Sequence, residues 1–180
     1  ALSALYISRL NDKMGNKSEA KKWKAIYDKL KNTINTRYWN EEDGFYYDVE
    51  VATGKHCKVK TMASYWALMA EIASPKQAER MIDILKNEQY FGTKYPFPSL
   101  SRDDKYFNAG TGDYWRGGIW LPMAYMGVKA IEKYGYYDLA DKLATNVVQQ
   151  QLRTFYAYSP HTIWEVYSPN KDEPSTEVGR

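Results

Sequence analysis

The chain has a single cysteine, Cys57, among 180 residues, so no disulfide can close within it. Cysteine usage therefore does not fix a redox compartment. There are two histidines, His56 and His161, far apart, and the pair His56-Cys57 is not a metal-binding spacing. No metal or cofactor site is called for. No apolar run approaches the about 20 residues that a membrane span needs. There is no basic block of the kind a nucleic-acid binder carries: the net charge is +3, with acidic and basic residues interspersed. Lys17, Lys21, Lys22, Lys24 and Lys29 alternate with Glu19 and Asp28 on one predicted helix, which reads as a solvated face. Gly110-Thr111-Gly112-Asp113 lacks the lysine and the following helix of a phosphate loop, and no nucleophile-elbow pattern is present. No solenoid-type repeat is found. The chain opens with Ala1-Leu2-Ser3 and shows no signal peptide, which leaves localisation unknown. Asn16-Lys17-Ser18 fits a glycosylation sequon, a weak match.

What is present in excess is aromatic. There are 17 Tyr and 6 Trp in a composition otherwise ordinary for a globular domain, 26% charged and 44% apolar. Helical periodicity accounts for much of the chain. Leu2, Leu5, Tyr6 and Leu10 form one stripe, ended by Gly15. Ala20, Trp23, Ile26, Tyr27, Leu30 and Ile34 form a second. Met62, Tyr65, Trp66, Met69 and Ile72 mark a third helix. Ser74-Pro75, an N-cap followed by Pro at the first helical position, opens a fourth with Ala78, Met81, Ile82 and Leu85. A fifth runs from about Ile119 to Tyr134 and closes at Gly135. Asp138 can cap a sixth, whose apolar face reads Leu139, Leu143, Val147, Val148 and Leu152.

The connections alternate. Short turns lie near 15–17, 73–75 and 135–137; long segments lie at 37–60, 87–117 and 154–180. Antiparallel hairpins then put all short turns at one end and all long loops on one face. The first long loop carries Asp43-Gly44 and Thr53-Gly54 turn signals, and Phe45–Val51 alternates like a short hairpin. Much of the aromatic excess falls in these loops, from Tyr38 through Tyr114 and Trp115 to Trp164 and Tyr167. Two readings compete: aromatics that pack long loops on their own side chains, and an aromatic-lined surface that stacks on the C–H faces of sugars.

Glycoside hydrolysis needs two carboxyl groups. The loop candidates are Asp43, Asp48, Asp103, Asp104, Asp113 and Glu165. Glu165 stands out, flanked by Trp164 and Tyr167 in a polar, Pro-bounded segment; Asp113 adjoins Tyr114-Trp115-Arg116, and Asp48 ends Gly44-Phe45-Tyr46-Tyr47. Capping and turn roles are the common fate of loop aspartates.

Tyr114-Trp115-Arg116-Gly117-Gly118-Ile119-Trp120 resembles the Tyr-Trp-Arg-Gly-x-x-Trp signature of glycoside hydrolase family 63, whose relatives include trehalase and mannosylglycerate hydrolase. Tyr125 to Gly135, Trp164-Glu165-Val166-Tyr167-Ser168-Pro169, Tyr38-Trp39-Asn40 through Asp48, and Tyr95-Pro96-Phe97-Pro98-Ser99 resemble further segments of that family, in order, across nearly the whole chain. The resemblance implies an all-α fold, helical hairpins forming part of an (α/α)6 barrel, and hydrolysis of an α-linked glycosidic bond with inversion. It implies Glu165 as the general base. It implies Tyr114, Trp115, Arg116, Gly117 and Trp120 as part of the sugar subsite, with Tyr46, Asp48, Phe97 and Trp164 nearby. The family's general acid is an Asp in a segment with no counterpart here, and Val166 and Ser168 replace polar positions of the pattern.

Six helices against twelve give the expectation that residues 1–180 are the C-terminal portion of a catalytic domain, incomplete at both ends and inactive alone. The rest of that domain is then a partner, as is an oligosaccharide or disaccharide substrate. Two other readings stay open: a non-catalytic carbohydrate-binding or interaction protein on the same scaffold, and a lyase or epimerase on the same barrel. The sugar and the linkage are not fixed.

Overall fold

A computed structural model of the protein describes residues 1–175; the end of the third long segment, 176–180, lies outside the described residues. The chain forms three helical hairpins. α1 (Leu2–Lys13) and α2 (Lys17–Arg37) make the first. A 3-10 turn (Met62–Tyr65) leading into the single-turn α3 (Trp66–Met69), followed by α4 (Pro75–Lys86), makes the second. α5 (Leu121–Glu132) and α6 (Tyr137–Ala157) make the third. Four two-residue strands lie in the long segments: β1 (Trp39–Asn40), β2 (Phe45–Tyr46), β3 (Ile119–Trp120) and β4 (Val166–Tyr167). β1 pairs antiparallel with β2 across the Asp43-Gly44 turn, and β3 with β4.

All three short turns are built alike. The residue past each helix is left-handed: Gly15 at φ 82°, Glu71 at φ 56° and Gly135 at φ 83°. The next amide reaches back five residues: Asn16 to the Asn11 carbonyl, Ile72 to Ala67 and Tyr136 to Ile131. This is the Schellman closure, in which Gly is the usual left-handed residue because it has no Cβ to clash. The middle turn uses a glutamate instead, and that side chain is what the geometry retains. Arg9 of α1 donates twice to the Glu71 carboxylate, at 2.8 and 2.6 Å, and Lys133 at the end of α5 donates at 2.9 Å. A face of α2, Tyr27, Lys31 and Asn35 at helical i, i+4, i+8 spacing, donates to carbonyls of Ala70, Glu71 and Ile72. The Tyr134 hydroxyl donates to the Ala73 carbonyl at 2.9 Å. The middle turn at Glu71 therefore ties together the bodies of α1 and α2 and the end of α5.

At the opposite end the long segments meet one another. The amide of Met62 donates to Ser99, that of Ser101 to Lys60, and that of Ser99 to Gly118. Their aromatics close this end of the core: the Phe45 ring lies 6.0 Å from Tyr65 and 6.5 Å from Phe91, and the buried Tyr65 hydroxyl donates to the Met81 carbonyl at 2.9 Å. α4 is amphipathic as read, burying Ala78, Met81, Ile82 and Leu85, and Ser74 and Gln77 form a reciprocal capping box.

Several local expectations change. The third helix stops at Met69, because the left-handed turn at Glu71 ends it and leaves Ile72 outside. α5 begins at Leu121 rather than Ile119. Pro122 favours the first turn of a helix, and Ile119–Trp120 are taken up by β3. The N-cap of α6 is Tyr136, so Asp138 sits inside the first turn and favours the helix dipole instead. The buried face of α6 is Ala140, Leu143, Val147, Gln150 and Thr154, whereas Val148 and Leu152 are about half exposed. No described helix is long and apolar enough to cross a membrane.

Arg9, and then Lys133, hold the Glu71 carboxyl down at about 2 against the opposing cost of burial. A depressed carboxylate stabilises the fold above its unfolded range, near 4.5, and that contribution fades as pH falls towards 2. Glu71→Gln is expected to cost about 1–2 kcal/mol at neutral pH, a figure discounted for a side chain one-third exposed. Urea unfolding of both proteins between pH 7 and pH 2 checks this: the gap should narrow below about pH 5, and a constant gap would contradict the assignment.

Candidate functional site

The β3–β4 ladder joins two segments far apart in sequence. Ile119 pairs with Tyr167 and Trp120 with Val166. Glu165 precedes β4 directly, so its backbone flanks Trp120 and the start of α5; its side chain is exposed. The aromatic signature and the glutamate segment thus form one surface.

The signature folds as a tight knot. Gly112, Asp113 and Tyr114 are successively left-handed, at φ 85°, 31° and 57°. Two non-glycine residues there are strained, which needs compensating contacts. The Trp120 indole donates to the Tyr114 carbonyl at 3.2 Å, and Arg116 donates to the Asp113 carboxylate at 2.7 Å. The aromatic rings then pack on each other. Trp115 stacks on Trp120 at 4.3 Å with an interplanar angle of 10°, and Tyr114 stands edge-on to Trp120 at 4.7 Å. Tyr114 and Trp115 remain half exposed, while Trp120 is buried beneath them. Arg116 also donates to the Tyr106 carbonyl at 3.0 Å, which occupies its guanidinium with backbone and Asp113.

Glycine is required within this knot. A Cβ on Gly118 would lie 2.6 Å from both the Tyr114 carbonyl oxygen and Val166 Cγ1, and one on Gly117 would lie 2.7 Å from the Phe107 ring. The Gly117 amide donates to the Ser99 hydroxyl at 3.1 Å.

The glutamate segment is latched to the same loop. Ser168 Oγ donates to the Gly110 carbonyl at 3.2 Å, Asn170 Nδ2 to that of Ala109, and Arg102 Nη2 to that of Pro169 at 2.5 Å. From the helix side, Gln150 Nε2 donates to the carbonyls of Ser168 and Lys171. The amide of Trp164 donates to the Tyr167 hydroxyl at 3.1 Å, and the Trp164 indole is half buried. Among the described residues, no group of histidine, cysteine and carboxylate side chains could hold a metal ion.

A family profile for the mannosylglycerate hydrolase MGH1-like glycoside hydrolase domain matches residues 1–179. The chain belongs to this glycoside hydrolase family. A protein of Borreliella burgdorferi is 31% identical over 175 residues, 96% of this chain and 36% of its own length. The mannosylglycerate hydrolase of Rubrobacter radiotolerans is 30% identical over 124 residues, 67% of this chain and 28% of that protein. The crystal structure of the family 63 mannosylglycerate hydrolase from Thermus thermophilus in complex with Tris superposes with a TM-score of 0.71. It has 23% identity and covers 88% of this chain and 35% of that one. The hairpins are accordingly part of an (α/α)6 barrel, and the chain spans about a third of the length of these relatives.

In this family member the remaining sequence candidates do not all converge. Phe97 is fully buried: its left-handed backbone, at φ 65°, turns the ring into the core, where it meets Gly127. Phe97 thus packs beneath the face it is expected to border. Tyr46 is also buried and its hydroxyl donates to Asn35 at 2.6 Å, while burial holds its phenol well above the ordinary range. Tyr46 and the exposed Asp48 line a separate cavity of about 530 Å³ with Tyr38, Ser64, Trp66 and Leu2. Phe45, Tyr46, Tyr47, Phe97 and Tyr167 follow the packing reading of the loop aromatics, whereas Tyr114 and Trp115 stay at the surface. Ser99 and Gln150 were not singled out from sequence. Gln150 could have been, since 143, 147, 150 and 154 fall at helical spacing on the buried stripe.

Gly118→Ala is expected to destabilise the fold by about 1–3 kcal/mol through overpacking against Val166. The near-ultraviolet dichroism of the Trp115–Trp120 stack should change as well. A variant with wild-type melting and wild-type spectrum would show that the close approach at Gly118 is dispensable.

Proposed function

We propose that this chain contributes the general base and one wall of the sugar subsite to an inverting glycosidase acting on an α-linked disaccharide or oligosaccharide. Because the chain spans about a third of its relatives' length, the activity and the substrate of the whole protein belong to this reading. The observation that carries it is the β3–β4 ladder, which makes Glu165 a neighbour of the Tyr114–Trp115–Trp120 cluster.

In the proposed mechanism the C–H face of the bound pyranose packs on the exposed surfaces of Tyr114 and Trp115. Trp120 backs them and Trp164 borders the glutamate. Arg116, held by Asp113 and the Tyr106 carbonyl, fixes the shape of that wall. The Glu165 carboxylate takes a proton from a water molecule as that water attacks the anomeric carbon. A general acid from outside this chain protonates the departing oxygen on the opposite side. An inverting pair needs its carboxyl groups about 6.5–9.5 Å apart, which leaves room for the water. Glu165 thus belongs at the water side of the sugar and the acid in the remainder of the domain. Asp48 borders a separate cavity and has no part in this step.

The test is Glu165→Gln in the full-length protein, assayed on a panel of mannosylglycerate, trehalose and α-glucosides. Turnover should fall at least about 100-fold, the size of a lost general base, with sugar affinity by calorimetry nearly unchanged. The first-formed anomer, followed by proton NMR, should be β from an α-linked substrate. An α configuration at the attacked carbon (for trehalose, two α-glucose molecules rather than one α and one β) would overturn inversion, and retained turnover would overturn the role of Glu165. Sugar binding with no turnover by the wild type would make the protein a binding module.

A further inference from the structure

Gln150 is 1% exposed and lies on the buried stripe of α6 with Leu143, Val147 and Thr154. A buried amide is costly unless its donors are used. Both N–H groups are: Nε2 donates to the Ser168 carbonyl at 2.7 Å and to the Lys171 carbonyl at 2.9 Å. These two carbonyls belong to the turn that follows β4, and Ser168 comes three residues after Glu165. That turn is closed locally by the Ser168 amide on the Glu173 carbonyl and by the Asn170 amide on Ser168 Oγ. Between the two carbonyls held by Gln150, the Pro169 carbonyl is taken by Arg102 from the second long loop. The turn is therefore fixed from two elements at once, a rigid helix and the loop that carries the aromatic knot.

We propose that Gln150 is a positioning residue for Glu165, setting the register and height of β4 against β3 so that the carboxylate keeps its distance from the Trp115–Trp120 stack. The inference rests on the reading of Glu165 as the base. A two-residue ladder has little rigidity of its own, so its placement depends on what holds its flanks. Carbonyl oxygens only accept, so the residue at this position must donate twice. An apolar side chain of the same size fills the space but leaves both oxygens without a partner. A displacement of about 1 Å at a reacting group costs on the order of 100-fold in rate.

The experiment uses the full-length enzyme and whichever sugar of the panel it turns over. Gln150→Met, Gln150→Glu, Glu165→Ala and the double variant Gln150→Met/Glu165→Ala are compared by kcat, KM and thermal unfolding. Folded Gln150→Met should lose about 10–100-fold in kcat with KM within about 3-fold. The double variant should be no slower than Glu165→Ala alone, because a residue that acts through Glu165 has nothing left to position. Gln150→Glu keeps the volume and, while protonated, one donor. Its kcat should lie between wild type and Gln150→Met only at pH values where the new carboxyl is protonated, and fall to or below that of Gln150→Met as pH rises through its titration. Wild-type kcat in folded Gln150→Met, or a further equal loss in the double variant, would overturn the positioning role. If Gln150→Met does not fold, Gln150→Glu carries the comparison, and failure of both to fold assigns Gln150 to stability alone. Undiminished turnover by Glu165→Ala would instead remove the underlying reading of Glu165. An inactive Glu165→Ala beside a wild-type-rate Gln150→Met would remove only the inference about Gln150.

Discussion

The Glu71 carboxylate is the point on which the three hairpins depend. It ends α3 in a backbone conformation that glycine would adopt more easily, and it binds Arg9 from the first hairpin and Lys133 from the third. Tyr27, Lys31 and Asn35 then occupy the carbonyls on either side of it. The first hairpin meets the main core only through partly buried residues such as Leu2, Ile34 and Tyr38, while its fully buried Ala4, Leu5 and Tyr27 form a small cluster of their own. The polar junction at Glu71 supplies the registration that this small cluster lacks.

With the short turns gathered at one end, the long segments are gathered at the other, where they interlock. Thr61 bridges to Leu100, Ser99 to Gly118, and Trp120 to Val166. Aromatic side chains serve two purposes on this face. Phe45, Tyr65, Phe91 and Phe97 are fully buried and seal the core beneath the loops. Tyr114 and Trp115 sit above that seal on Trp120 and remain accessible. The rigid layer below is what allows an exposed pair of rings to hold a fixed orientation.

Much of the fold was legible in the sequence. Gly15, Gly135 and Ser74-Pro75 are strong punctuation, and the helices around them stand close to where periodicity put them. The middle turn is placed near 73–75 by Ser74-Pro75, but its closure at Glu71 was not legible, because its left-handed residue is a glutamate and nothing in the local pattern distinguishes it from a helical one. The stripe of α6 was misassigned for a related reason. Val148 and Leu152 drew the face towards themselves by hydrophobicity, whereas the tertiary environment demanded the amide of Gln150. At the site, the aromatic signature and the glutamate segment were both readable as motifs. Their joining by a ladder was not, since two-residue strands leave no alternating pattern to detect. Phe97 packs in the core with a left-handed backbone, a conformation its sequence context does not announce.

The brevity of the β3–β4 pairing has a consequence for how such a protein can diverge. Side chains alternate across a strand, so a slip of one residue would carry Glu165 to the other side of the sheet while barely changing the hydrogen-bond count. Insertions in 158–163 alter the rim without touching that parity. An odd-numbered insertion inside the ladder itself, at 119–120 or 166–167, alters it completely. Added length is therefore tolerable in 158–163 and disruptive within the ladder, where two paired residues set which way the glutamate faces.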